Sequence, residues 1–282
     1  MFGLDIGAEN IKVAEVNKTG GKLYLEKFET INKSNAMKKG LKIKKAVVTI
    51  QDEEIKFFAY SFENPKKLSS DELKKLITEK SRDFLKFPSE KANVGLQILD
   101  QYSKNGIYHY NVFAEILSID VLNNYKNILK DLKVKPIAVD SSTYRLANLC
   151  DAKNFILSNI TEKEIIIFCY YDGKPVYVRR ATKYDLKLPD NITDLAGERN
   201  LFMFVKDTVD YYYEKFNSKF PEKAFVAGNL TSRDFITVLN ELLNIPVEPI
   251  FKSKLIKLKC LATDENLLQI APCIGAVLGE YE

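Results

Sequence analysis

Two short apolar runs, Phe2 to Ile6 and Ile11 to Val16, flank a Gly-Ala-Glu-Asn turn, so the chain opens as a run of strands. Residues 2–8, 11–17 and 22–31 read as three consecutive strands. The first two join through Gly7-Ala8-Glu9-Asn10 and the next two through Asn17-Lys18-Thr19-Gly20-Gly21. Ala46 to Ile50 adds a short strand after a lysine-rich connection, and Ile55 to Phe62 a longer one. The period then changes. Ser69-Ser70-Asp71-Glu72 supplies a hydroxyl cap and first-turn acids, and Leu73, Leu76, Ile77 and Phe84 follow on a helix that Phe87-Pro88 stops. Val94 to Leu99 and Tyr108 to Leu117 pair around a turn at Asp100 to Gly106. A helix from Val121 to Leu132 comes next, with Leu122, Tyr125, Ile128 and Leu129 on one face.

Pro136 to Asp140 is a strand that feeds a helix from Ser142 to Cys150. After a strand around Phe155, Ile165 to Tyr171 and Pro175 to Arg180 form a hairpin through Asp172-Gly173. A long amphipathic helix spans Thr193 to Phe216, followed by a strand at Ala224 to Ala227 and a helix at Ser232 to Leu243. A short strand at Val247 and a closing helix from Asn266 to Leu278 complete the order. Hairpins followed by helices, twice over, predict an α/β protein with duplicated lobes.

Composition narrows the function classes. At 282 residues and 46% hydrophobic content the chain builds a sizeable core and is not broadly disordered. Its 42 basic and 38 acidic residues leave +4, nearly balanced and without the aromatic–basic signature of a nucleic-acid module. Lys38 to Lys45 is the one basic cluster, either a solvated loop or a contact for phosphate or a lipid surface. Cys150, Cys169, Cys260 and Cys273 lie far apart with no CxxC spacing, which argues against a zinc site or disulfide framework. His109 stands between Tyr108 and Tyr110 with no catalytic partner nearby and reads as structural. Met1 leads directly into a strand rather than a signal peptide, and no segment approaches the ~20 apolar residues of a membrane span. A cytoplasmic protein is expected, reaching any membrane through a partner.

The candidate chemistry sits in the first hairpin. Asp5 ends one strand and can hold a hydrated Mg²⁺; the N–H groups of the Gly7-Ala8-Glu9-Asn10 turn can line a phosphate, and Lys12 can reach its charge. Asp140 ends a later strand, where it can either position a water or cap the helix at Ser142. No residue is nominated as catalytic.

The order of these pieces resembles the PilM family, actin-like components of type IV pilus assembly in the FtsA/PilM branch. The resemblance spans nearly the whole chain: Gly3-Leu4-Asp5-Ile6-Gly7 with Ile11-Lys12 and Glu15, Asn64-Pro65 with Leu68-Ser69 and Glu72-Leu73, and Phe87-Pro88. It continues through Lys135 to Asp140, Asp172-Gly173-Lys174-Pro175-Val176, Val226-Ala227-Gly228, Ile245-Pro246-Val247-Glu248 and the Ala271 to Gly279 helix. It implies an actin-like, RNase-H-like two-lobed fold: residues 1–50 and 116–150 as the first lobe, 51–115 as an inserted small subdomain, and 151–282 as the second lobe. It also implies Mg-ATP between the lobes, with Gly228 at the adenosine end. A groove for the N-terminal cytoplasmic peptide of a PilN-like bitopic inner-membrane partner follows too, with Phe84, Leu85 and Phe87 as candidate walls; those aromatics read equally as the subdomain's own core.

The chain departs from that family at the second phosphate hairpin. Counting back from Asp172-Gly173 aligns Ser158 to Glu164, where Asn159 replaces an acid, Thr161 replaces a glycine, and Glu162 and Glu164 add negative charge. The family's glycine pair is here Gly228-Asn229, and the stretch from Arg180 to Phe216 is too short for a second-lobe small subdomain. Two readings follow: an adaptor with a degenerate nucleotide site, or an active Mg-ATP-dependent enzyme, either a slow ATPase or a small-molecule kinase. A soluble equivalent of the type II secretion platform component GspL is a close variant of the first.

Overall fold

The computed structural model describes residues 1–161, 163–188, 199–215, 221–228, 233–252 and 256–281. The first hairpin is β1 (Phe2–Ile6) and β2 (Asn10–Thr19); β3 (Lys22–Asn32) pairs antiparallel with β2. The lysine-rich connection is not wholly irregular. It contains α1 (Lys33–Lys39), capped by Asn32, whose side chain accepts from the Asn35 N–H at 3.2 Å. Only Ala36 of this helix is buried, so no apolar stripe announces it in the sequence. β4 (Lys45–Ile50) lies parallel to β1.

β5 (Lys56–Asn64), β6 (Ala92–Lys104) and β7 (Ile107–Ser118) form a separate antiparallel sheet in the order β5-β7-β6. The β6–β7 turn is tighter than expected. Asn105 and Gly106, at φ 54° and 75°, make a two-residue turn, and residues 100–104 continue β6 beyond a bulge near Leu99. α2 (Ser70–Ser81) begins with the expected capping box between Ser69 and Glu72. It ends at Ser81, short of the expected Phe87, and a 3₁₀ turn over Arg82–Phe84 takes the chain away.

α3 (Ile119–Asp131) leads to β8 (Lys135–Ser141) and α4 (Ser142–Leu146), which a 3₁₀ turn extends to Leu149. The second hairpin is β9 (Phe155–Ile160) with β10 (Glu164–Tyr171), and β11 (Lys174–Thr182) follows through Asp172 and Gly173 at φ 50° and 72°. α5 (Arg199–Lys215), β12 (Lys223–Ala227), α6 (Arg233–Leu243), β13 (Val247–Pro249), β14 (Ile256–Leu258) and α7 (Asp264–Leu278) complete the chain. The expected helix ends at Thr193, Phe216 and Ser232 lie outside the described residues. Among the described residues no strand lies between β11 and α5, where an extra small subdomain would require one.

Two larger sheets flank a helical layer. Their orders are β14-β3-β2-β1-β4-β8 and β11-β10-β9-β12-β13. α4 and α7 fill the space between them, with Leu146, Ile270, Ile274 and Val277 packed into one core with Val16 of the first sheet and Phe168 and Phe225 of the second. α3 covers the outer face of the first sheet and α5 and α6 that of the second. α2 covers one face of the small sheet; from the opposite face Phe57 and Phe113 reach Phe168, with ring centroids 5.1 and 5.7 Å away. The chain's last elements return to the first sheet: β14 pairs parallel with β3, and α7 lies across β1, β2 and β4.

Close helix–sheet approach depends on Gly3. A Cβ there would stand 2.0 Å from the Cys273 carbonyl oxygen of α7, so the helix would have to move. Gly3→Ala is therefore expected to destabilise the fold by about 2–3 kcal/mol in urea unfolding, as overpacking of a rigid backbone contact does. Gly173→Ala, where nothing lies within 4 Å but φ is 72°, isolates the cost of the left-handed backbone alone and is expected to be the milder change.

Candidate functional site

The two hairpins face one another across a cleft of about 620 Å³, within the range of small-molecule pockets. In the first, Asp5 and Lys12 are cross-strand partners, and the Lys12 Nζ lies 3.6 Å from Asp5 Oδ2. Asp5 Oδ1 also accepts from Thr49 Oγ1 at 2.9 Å and Ser142 Oγ at 2.8 Å. The turn closes by the Gly7 N–H donating to the Asn10 carbonyl at 2.9 Å. Asp5, Gly7 and Lys12 line the cavity; Ala8, Glu9 and Asn10 are exposed on the turn and do not. Lys33, which the sequence did not single out, donates to the Gly7 carbonyl at 3.2 Å and fastens the turn to α1.

The second hairpin repeats this backbone. The Thr161 N–H donates to the Glu164 carbonyl at 3.0 Å, as Gly7 does to Asn10. Ile160 pairs with Ile165 as Ile6 pairs with Ile11. By that register Asn159 stands where Asp5 stands, Thr161 where Gly7 stands, and buried Ile166 where Lys12 stands. The counterpart hairpin thus carries neither the acid nor the lysine. Glu162 lies outside the described residues.

Asn159 is also engaged. Its Nδ2 donates to Thr143 Oγ1 at 2.7 Å, and that hydroxyl donates to Asp52 Oδ2 at 2.5 Å. Asp52 further accepts from Ser141 Oγ at 2.6 Å and the Thr143 N–H at 3.2 Å. Burial pushes the Asp52 carboxyl above its ordinary range, with the Ser141 and Thr143 hydrogen bonds acting in the other direction. Adjacent hydroxyls at the start of α4 therefore divide the cleft floor. Ser142 binds the first hairpin and Thr143 the second.

Two further acids of the cleft, Glu164 and Glu53, are paired as well. Glu164 is bound by the Arg180 guanidinium, with Nε donating at 2.6 Å, and Arg180 Nη1 reaches across to the Ile55 carbonyl at 2.8 Å. Burial raises the Glu164 carboxyl and Arg180 opposes the rise. Lys163 meets Glu53 at 3.0 Å at the exposed mouth. Among the described residues no group of three potential metal ligands of the His, Cys, Asp or Glu type occurs.

Gly228 follows β12 and lines the cavity. Its φ of 104°, and a Cβ that would fall 1.9 Å from the Ile160 carbonyl oxygen, explain why glycine occupies it. Asn229 lies outside the described residues. Leu268, Gln269 and Pro272 of α7 form another wall.

Asp140 takes neither of its two expected roles. β8 runs one residue further than the pattern suggests, so Ser141 caps α4 by accepting from the Tyr144 N–H at 2.9 Å. Asp140 is absent from the cavity lining and instead accepts from Arg145 Nε at 2.8 Å, while Arg145 also pairs with Glu280 at 3.1 Å. Of the candidate groove walls, Phe84 is 66% exposed and packs on Phe58, with centroids 6.2 Å apart. Leu85 and Phe87 are half-buried against the core beneath α2.

This pair of facing hairpins, each backed by a sheet and joined by helices between them, defines an actin-like fold. The chain is similar over 99% of its length, and over 96% of the other chain, to a structure of the PilM–PilN type IV pilus biogenesis complex, at 15% identity and a TM-score of 0.69. It is also similar to the cytoplasmic domain of EpsL, an inner-membrane component of the type II secretion system of Vibrio cholerae. That match covers 96% and 93% of the two chains at 6% identity and TM-score 0.52. A Bacteroides thetaiotaomicron protein of actin-like ATPase fold and unknown function matches over 99% and 95%, at 10% identity and TM-score 0.50. No protein-family model and no curated protein matches the sequence. At these identities the likeness carries the fold.

The shared hydroxyl gives a direct test. Thr143→Val keeps the shape but leaves Asn159 and buried Asp52 each short of a partner. It is expected to lower unfolding stability by about 2–3 kcal/mol, whereas Thr143→Ser is expected to retain most of it.

Proposed function

We propose that this chain is an actin-like scaffold of type IV pilus assembly, or of a related type II secretion machine. In this reading it docks the N-terminal cytoplasmic peptide of a PilN-like bitopic inner-membrane protein and sits on the cytoplasmic side without inserting into the membrane. The observation that carries the reading is the asymmetry of the cleft. Phosphoryl transfer in a site of this kind rests on positioning and charge neutralisation. Here the second hairpin offers Asn159 and Ile166 opposite Asp5 and Lys12, and Asn159 is already bound to Thr143. These residues fit a metal–triphosphate poorly, which supports a degenerate site. Among the described residues no helix is long and apolar enough to cross a membrane, consistent with attachment through a partner.

Residues 51–115 are taken as the docking subdomain, with Phe84 as the exposed wall. Titration of the full chain with the N-terminal peptide of a bitopic protein encoded beside it tests this directly. Phe84→Ala is expected to weaken the peptide about tenfold with stability changed by less than about 0.5 kcal/mol. Leu85→Ala is expected instead to destabilise the subdomain core. No binding at several hundred micromolar peptide by a folded chain overturns the adaptor reading.

Asp5 and Lys12 are retained, and they favour the alternative of an active ATP-dependent enzyme. Calorimetric titration with Mg-ATP separates the two. The adaptor reading expects an affinity no tighter than about 1 mM, equivalent to roughly 4 kcal/mol of binding free energy. Micromolar binding abolished by Asp5→Ala overturns it in favour of the enzyme.

A further inference from the structure

The lysines between 38 and 45 are half of a larger surface. Backbone hydrogen bonds from the Leu41 N–H to the Leu132 carbonyl at 2.9 Å, and from the Lys135 N–H to the Lys44 carbonyl at 3.0 Å, lay residues 38–45 beside residues 130–135. Lys45 and Lys135 are register partners in β4 and β8. The junction exposes Lys38, Lys39, Lys42, Lys44, Lys45, Lys130, Lys133 and Lys135 together, with Asp131 as the one acid in the two stretches. These stretches carry a formal +7, so a chain of net +4 is left at −3 everywhere else. None of the eight ammonium groups forms an ion pair with a described residue. A like-charged concentration of this size opposes folding unless a counter-charge meets it.

We infer that this lysine surface docks on an anionic lipid bilayer, at the end of the first sheet opposite the cleft. Both segments precede parallel strands, β4 and β8, whose far ends lead to Asp52 and Ser142 in the cleft floor. Six residues of strand separate the two ends by about 20 Å, so a surface held by the lysines leaves the cleft open. The chemistry of the patch favours lipid over nucleic acid. Its cations are all lysine, and residues 38–45 and 130–135 contain no arginine fork and no aromatic ring on which a base could stack. Ile137, the extra residue of a bulge just beyond Lys135 in edge strand β8, is 47% exposed and can rest at headgroup depth.

Electrostatic attraction to an anionic leaflet amounts to about a fivefold gain in partitioning per lysine near the surface, and falls off within a Debye length. The test is co-sedimentation of the full chain with vesicles of phosphatidylcholine alone or with about one-third phosphatidylglycerol, at low and high salt; it uses no protein partner, so it is independent of the adaptor reading. Binding to the anionic vesicles only, lost in about 0.5 M salt, is expected. The variant Lys39→Gln/Lys42→Gln/Lys44→Gln/Lys133→Gln changes exposed side chains and is expected to reduce partitioning at least tenfold with an unchanged melting curve. Lys74→Gln/Lys75→Gln on α2 removes two exposed charges elsewhere and is expected to leave binding as it was. No binding to the anionic vesicles, equal binding to both compositions, or equal loss in the α2 variant overturns the inference. So does a short RNA or DNA duplex that displaces the chain from the vesicles at micromolar concentration.

Discussion

Two neighbouring hydroxyls at the start of α4 hold the two halves of this molecule in register. Ser142 binds the acid that ends β1, and Thr143 binds the amide that ends the strand before the second turn. Without Thr143 the buried Asn159 amide would lose the acceptor of its hydrogen bond, and without Ser142 Asp5 would be left with Thr49 and Lys12. Because α4 is only five residues long, its orientation comes from its surroundings rather than from its own ladder. Ser141 caps it, Arg145 ties it to Asp140, and Gly275 of α7 approaches so closely that a Cβ would meet the Arg145 carbonyl oxygen at 2.2 Å. The floor of the cleft is thus assembled from packing on one side and hydrogen bonding on the other.

That arrangement also sets the electrostatics. Five carboxylates line the cavity, from Asp5, Asp52, Glu53, Glu164 and Glu265, against the lysines Lys12 and Lys163. Four of the five are engaged within the chain, through Lys12, the Ser141 and Thr143 hydroxyls, Lys163 and Arg180. Their partners come from both halves: Arg180 reaches from β11 to the Ile55 carbonyl, and Lys163 reaches Glu53. Side chains of the protein occupy the bridging positions between its own lobes.

The fold was legible because its signals are local. Short apolar runs marked the strands of the first hairpin and β10 of the second, Asp172-Gly173 marked the turn that follows β10, and Ser69 with Glu72 marked the start of α2. The correspondence of Asn159 and Thr161 with Asp5 and Gly7 could be counted from the sequence because two antiparallel strands and a short turn leave little slack in register. Three things were not legible. α1 buries only Ala36 and so shows no helical period. Asp140 changed partners because β8 runs one residue further, which passes the cap to Ser141 and leaves Asp140 within the strand, where Arg145 meets it. Asp52 and Thr143 are 91 positions apart, and nothing in either neighbourhood announces the pairing. The triplet Ser141-Ser142-Thr143 after a strand was the available clue, but the expected cap was Asp140, and neither the Ser141 cap nor the Thr143 pairing was read from it.

The return of β14 and α7 to the first sheet has a consequence for how the molecule is made. β1 is synthesised long before the helix that covers it, with Cys273 against Gly3. On a ribosome the opening hairpin emerges with its inner face bare and waits for some 250 further residues before that face can be sealed. The first half of the chain is thus not a self-sufficient folding unit during translation. A ribosomal product truncated before α7 carries an uncovered sheet face to the chaperones.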